Sequence, residues 1–269
     1  RRGAVKTWSV SNQKGGVGKT TTVVSLAGWL AERGSPVLVV DMDPQASLTG
    51  YFGVEGDAVG GNVYDLFMDE GPALAELVRE SGVEGISLAP ASSAMATLDR
   101  QLGARKGQGL VLASALAGVK ERFEHVIVDC PPTLGVLMIN ALAAGDRLLL
   151  PVQTEHLAIK GLERMLRTLT MVNRSRKQSL NPMIIPCMFD RRTRAAIQSL
   201  EYLRETYPDT LWDGVIPVDT QFREASRIGV PISQTVPSSR GAQAYLRLLE
   251  DLIDSRQDRR DRPAAEASA

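Results

Sequence analysis

The segment SNQKGGVGKTTT, Ser11–Thr22, constrains this chain more than any other stretch. It follows the apolar, β-branched run VKTWSV and precedes TTTVVSLAGWLAERG, where Val23, Leu26, Ala27 and Leu30 recur at helical steps of three and four. A glycine-rich turn from a strand into a helix converges backbone N–H groups and the helix N-terminus on one anion. Glycine at 15, 16 and 18 lets the backbone approach phosphates, Lys19 can reach the β- and γ-phosphates, and the Thr20 hydroxyl suits Mg²⁺. The strict pattern GxxxxGK[ST] asks for glycine at position 13, but the chain has Gln13 and then a second lysine, Lys14. The loop is a variant, and Lys14 needs a role of its own.

The runs SPVLVVD, HVIVD, RLLLPV and PMIIPCMF alternate with segments of helical period. That alternation predicts an α/β fold, a doubly wound and mostly parallel sheet flanked by helices. Gly34 suits the left-handed position that ends the first helix. Between about 54 and 110 the text is richer in Gly, Ala and acidic residues, with weaker strands and short helices, and no Pro/Ser-rich linker sets it apart. One domain over 4–255 is expected, with 256–269 a disordered tail because SRQDRRDRPAAEASA loses its apolar period. Cys130 and Cys187 lie in apolar runs without metal-ligand spacing and read as reduced core residues in a cytoplasmic protein. No apolar stretch reaches the roughly 18 to 20 residues that span a bilayer, and RRGAVKTW carries no signal-like apolar region.

Two further segments belong with the loop. VLVVDMDPQ delivers Asp41 and Asp43 to the carboxyl end of a strand, and HVIVDCPP delivers Asp129 to another, which is where an open α/β sheet collects its ligands. A carboxylate at such a place can hold Mg²⁺ through water or orient an attacking water. Any one of the three could be a helix cap. Three in this order after a phosphate loop point to a nucleotide site.

These residues carry a resemblance. From about Lys6 to Ile253 the chain resembles the ParA/MinD group of deviant Walker-A ATPases, the small Soj-like partitioning proteins above all, through KGGVGKTT, VVDMDPQ, VIVDCPPTLG, MFDRRT, EASRIGVPI and SSRGAQAYL. The resemblance implies an ATP hydrolase with ATP and Mg²⁺ as cofactors and Lys14, Gly15, Gly16, Val17, Gly18, Lys19, Thr20 and Thr21 around the phosphates. Lys14 would cross to a partner subunit and contact its nucleotide, so that ATP joins two protomers. Asp43 would position the hydrolytic water, Thr20, Asp41 and Asp129 would serve the metal, and Met188 and Pro217 would meet the adenine. A second ammonium near the β/γ bridge fits the charge that grows in phosphoryl transfer, and without ATP Lys14 and Lys19 should repel one another.

The partner surface is less sharply written. Thirty-one basic residues balance thirty-one acidic ones, so any hold on nucleic acid must be local. Nine basic residues stand against two acidic ones between 156 and 200, an excess suited to DNA phosphates without base reading. The resemblance adds nonspecific double-stranded DNA as partner, a nucleoid-associated location, no membrane, and a ParB-like or adaptor protein that stimulates hydrolysis. Arg192 matches a basic position of the family, Arg194 adjoins it, and Gln221 stands where many relatives have arginine, with Arg223 and Arg227 close by. The chain looks too short to carry an added N-terminal DNA-reading domain. Rivals are a MinD-like membrane-positioning ATPase, which needs an amphipathic C-terminal helix that QDRRDRPAAEASA does not offer, and a metabolic kinase or synthetase with the same loop. An iron–sulfur reductase would need cysteine ligands in other places.

Overall fold

The five strands expected from β-branched runs pair as neighbours in one parallel sheet. A computed structural model describes residues 5–55, 60–102 and 107–260. Among these the strands are β1 (Lys6–Val10), β2 (Val37–Asp41), β3 (Arg79–Glu80), β4 (Ile86–Ala89), β5 (His125–Asp129), β6 (Arg147–Gln153) and β7 (Asn181–Cys187). Their order is β3-β4-β2-β5-β1-β6-β7, parallel throughout except for β3 against β4. The helices are α1 (Lys19–Glu32), α2 (Ser47–Tyr51), α3 (Leu74–Leu77), α4 (Leu98–Leu102), α5 (Val111–Ala115) and α6 (Val136–Ala144). They continue with α7 (His156–Ser175), α8 (Arg194–Thr206), α9 (Gln221–Ile228), α10 (Ile232–Thr235) and α11 (Arg240–Arg260).

Side chains alternate across the strands and bury both faces. Trp8, Val39, Ile127, Leu149 and Ile185 pack with α1 and α11, while Leu38, Val126, Val128, Leu148 and Ile184 face the layer that includes α6 and α7. Burial on both sides is why these strands read as continuous apolar runs. Helix α1 is buried more completely than a one-faced pattern predicts. It lies between the sheet and α10–α11, and a Cβ at Gly28 would overlap Pro231 and Ser233. Gly34 takes the expected left-handed conformation at φ 71°.

The weakly written segment after 54 joins the sheet, since β4 pairs with β2 over Val37–Val40. Ala4, the expected start of the domain, lies outside the described residues, and α11 runs to Arg260, into the stretch assigned to a disordered tail. The remainder, 261–269, also lies outside them.

Register positions the site. In the ladder Val10 pairs with Asp129, and Asp129 pairs with Asp41, so the phosphate loop after β1 and the carboxylates ending β2 and β5 emerge together.

Candidate functional site

The loop from Ser11 to Gly18 turns from β1 into α1 with Gly18 at the helix N-cap, φ 92°, and Gly16 at φ 72°, both in the left-handed region that favours glycine. A Cβ at Gly15, Gly16 or Gly18 would meet no other protein atom, so the missing side chains leave a cradle beside the backbone. Asn12 fixes the loop's entry: its amide donates to the Pro151 carbonyl at 2.8 Å and its Oδ1 accepts the Lys14 N–H at 2.9 Å. Lys19 is buried, and its Nζ donates to the carbonyl of Lys14 at 3.4 Å, across the mouth of the cradle.

The three strand-terminal aspartates differ in their surroundings. Asp41 is fully buried and saturated: it accepts from the Thr49 N–H at 2.9 Å, the Thr49 hydroxyl at 2.7 Å and the Asp43 N–H at 3.1 Å. Burial pushes its carboxyl up to about 6, against the pull of those bonds. Asp129 accepts the Thr20 hydroxyl through Oδ2 at 2.6 Å, and its Oδ1 is buried with no hydrogen-bond partner. Burial and the neighbouring Asp41 charge push Asp129 up to about 8, with Thr20 and Lys19 opposing. Asp43 is 7% exposed and caps the next turn, accepting the Gln45 N–H at 3.0 Å. Just beyond it Ala46 is held at φ 53°.

An orphaned carboxylate oxygen on the side chain that accepts from Thr20, at the start of the helix that follows the glycine cradle, fits a magnesium nucleotide, because Mg²⁺ keeps water and phosphate ligands and needs only one or two protein oxygens. No cluster of three or more His, Cys, Asp or Glu side chains able to hold a metal by themselves occurs among the described residues. Thr20 and Asp129 are the residues that would hold the ion. Asp41 instead braces the Asp43 turn against α2, a role for which Thr49, eight residues along DMDPQASLT, is the missed partner.

Lys14 does not face its own cradle. Its Nζ pairs with Glu155 and donates to Gln153 Oε1 at 2.9 Å, at the junction of β6 and α7. The expected repulsion between Lys14 and Lys19 is therefore avoided, since the two ammoniums point to different partners. The Gln153 amide in turn donates to Met188 Sδ at 2.9 Å. Met188 has φ 53°, an uncommon conformation for a long side chain and one that gathers at functional positions.

A cavity of about 500 Å³ opens from the cradle, and Met188 and Pro217 line it together with Val17, Thr21, Arg223 and Tyr245. Tyr245 is buried and shares a 2.9 Å hydrogen bond with Thr22, which ties α11 to α1 beneath the loop. Cys187 also lines this cavity, yet burial pushes its thiol up to about 12 and Cys130's higher still, so both are inert free cysteines.

The basic region divides. Arg176 leaves it: its guanidinium donates to the carbonyls of Leu142 and Ala143 at 2.7 Å and Gly145 at 2.8 Å, closing the end of α6. Lys160, Arg164, Arg167 and Arg174 remain exposed on α7, and Arg191, Arg192 and Arg194 are exposed around the start of α8. Arg192 is 82% exposed but forked onto Asp190 at 2.8 Å, holding that carboxyl down at about 2. Arg227 pairs with Glu224 at 3.2 Å, and Arg223 faces the nucleotide cavity. No helix among the described residues is long and apolar enough to cross a membrane.

A family profile described as AAA domain matches residues 5–182. The chain is 37% identical to the sporulation initiation inhibitor protein Soj of Bacillus subtilis, over 91% of this chain and 96% of that protein. It is 33% identical to the chromosome partitioning protein ParA of Caulobacter vibrioides, over 95% and 97%. A Mycobacterium smegmatis structure named cobyrinic acid a,c-diamide synthase, with bound ATP analog and magnesium, superposes with a TM-score of 0.82 at 32% identity, covering 96% of this chain and 98% of its own. The septum site-determining protein MinD of Pyrococcus horikoshii, complexed with Mg-ADP, shares the fold with a TM-score of 0.76 at 23% identity, over 94% and 97%. ATP and Mg²⁺ are the cofactors of the site. With the cradle, the twin lysines and the aspartate-ended strands in place, the chain belongs to the AAA domain family and, within it, to the ParA/MinD group of deviant Walker-A ATPases of the small Soj-like type.

Proposed function

We propose that this positioning ATPase dimerises on binding ATP, coats duplex DNA without regard to sequence, and is released when a ParB-like or adaptor protein stimulates hydrolysis. The carrying observation is Lys14. It sits in the phosphate loop yet is turned out of its own cradle toward Gln153 and Glu155, where a partner protomer's nucleotide can compete for it. Lys19 neutralises the phosphates within the protomer and Thr20 with Asp129 holds the metal. Mg²⁺, when bound, supplies counter-charge to the phosphates. Asp43, held by the braced turn but not saturated, orients the attacking water. Lys14, delivered across the dimer, stabilises charge that grows at the β/γ bridge.

Support for DNA as the surface partner comes from the exposed basic residues of α7 and of the α8 start, and from relatives named for chromosome partitioning. Arg194 opens α8 where the helix N-terminus already favours an anion. Location on the nucleoid follows from that partner. A second reading, ATP-dependent ligase chemistry, is favoured by the name of the Mycobacterium smegmatis structure.

The test is a mobility shift on unrelated duplexes with ATP, ADP or no nucleotide, beside turnover measurements on wild type and Asp43→Ala. Expected are ATP-dependent, sequence-indifferent binding and an Asp43→Ala protein that binds ATP and DNA but does not turn over. Wild-type turnover by that variant would refute the role of Asp43. Absence of DNA binding, with turnover raised by a small carboxylate substrate, would favour the ligase reading.

A further inference from the structure

A second recess backs onto the nucleotide cavity. It has a volume of about 620 Å³ and is lined by Arg204 from α8, Arg240 and Arg247 from α11, and Trp212, with Asp213 and Pro217 on its wall. Pro217 lines the nucleotide cavity as well, so the two spaces share a wall residue. Three guanidiniums and the Asp213 carboxylate line the recess. Neither Arg204 nor Arg240 lies within ion-pair distance of an acidic side chain among the described residues. Arg247 is 3.9 Å from Asp251, but Asp251 is already engaged by the Trp212 N–H at 2.7 Å. Arg240 opens the 21-residue helix α11, whose first turn holds no acidic residue, although Asp219 accepts the Gly241 N–H there at 2.9 Å.

Two guanidiniums without an ion-pair partner, beside a third held only at 3.9 Å by Asp251, repel each other and favour an anion that supplies several oxygens. We infer that Arg204, Arg240 and Arg247 form a phosphate-receiving cleft for the backbone of duplex DNA, continuous with the surface that carries Arg192. The inference rests on the DNA reading above and deepens it. Continuity comes from Asp190, which lies next to Phe189 on the cleft wall and feels both Arg192 and Arg240. Asp190 is hydrogen-bonded to Arg192 and acts on Arg240 only at longer range, so Arg204 and Arg240, which have no ion pair of their own, carry more uncompensated charge than the residue that sequence reasoning singled out. A duplex suits the recess better than one small anion, because a repeating line of phosphates can meet the cleft and the α8 start at once. Contacts of this kind position the protein and read no bases.

The test uses the full chain with ATP on unrelated duplexes over a salt series. Arg204→Ala combined with Arg240→Ala should weaken binding at least tenfold. It should also lower the salt slope by about 0.9 for each phosphate that is no longer neutralised, roughly 2 per protomer, with ATP affinity and urea stability unchanged. The corresponding Arg→Lys pair should recover most of the binding, since charge and not fork geometry is required. If wild type binds DNA and the alanine pair binds as well with the same slope, the cleft is overturned while the DNA reading stands. If wild type binds no duplex, the DNA reading falls and this role for the cleft falls with it. If the alanine pair keeps its DNA binding but loses stimulation by the activating protein, the recess is a protein-docking site and the inference is wrong.

Discussion

Replacing Asp129 with Asn should stabilise the nucleotide-free protein while removing its hold on magnesium nucleotide. Asp129 is 1% exposed, one of its oxygens has no partner, and Asp41 stands beside it in the ladder. Burial first and Asp41 second oppose its ionisation, so the folded chain retains a proton that the unfolded chain releases. The stability contributed by this carboxyl is therefore complete below its unfolded value of 3.8 and is lost as pH rises through about 8. At about 1.4 kcal/mol for each tenfold displacement of the proton equilibrium, that span sets a ceiling on the order of 5 kcal/mol. Water entering from the loop mouth relaxes part of it, leaving an expected gain of about 1–3 kcal/mol for the neutral amide. Asn keeps an acceptor for Thr20 and carries no charge beside Asp41. The assay is urea unfolding of wild type and Asp129→Asn without nucleotide at pH 4.5, 6.5 and 8.5, beside a fluorescent-nucleotide titration with Mg²⁺. The difference should be small at the lowest pH and grow with each step. A variant less stable than wild type at pH 8.5, or a difference independent of pH, would show that Asp129 is not a buried carboxyl held ready for a cation.

Lys14→Ala removes an exposed ion pair worth less than about 1 kcal/mol, so it should fold and bind ATP normally yet stay monomeric by light scattering. Lys19→Ala should lose nucleotide affinity in the monomer, and equal loss in both variants would place Lys14 in its own site. Arg176→Met keeps the aliphatic stem but strips three carbonyls at the end of α6 of their donor. It should cost about 2–3 kcal/mol in urea unfolding with DNA affinity unchanged, and a selective loss of DNA binding would return Arg176 to the basic surface.

Local signals carried the parts of this site that lie within a few residues of each other. The loop, its glycines and the strand-ending aspartates are contiguous text whose chemistry is fixed by spacing. Strand β4 was written only faintly because ISLA is four residues long, and its place beside β2 is decided by long-range pairing. Composition counted Arg176 with the residues expected to face DNA, since a tally of charges cannot show that a guanidinium is spent on carbonyls 31 to 34 residues away. The same limit hid the tether of Lys14, whose partners lie 139 and 141 residues along the chain. It also hid Arg204, Arg240 and Arg247, which are scattered over two helices and converge only when α11 docks. Thr49 was within reach of sequence reasoning, for a hydroxyl one short loop beyond a buried aspartate is a natural clamp.

In the dimer proposed above, the tether of Lys14 changes what joining two protomers involves. A lysine already held by Glu155 and Gln153 does not gain its first partners when it crosses to another subunit; it trades one set for another. Such an exchange runs close to balance, so modest changes in what occupies the opposite cradle decide its direction. A conversion from triphosphate to diphosphate is a change of that size. Assembly and disassembly of the proposed dimer would then both be quick.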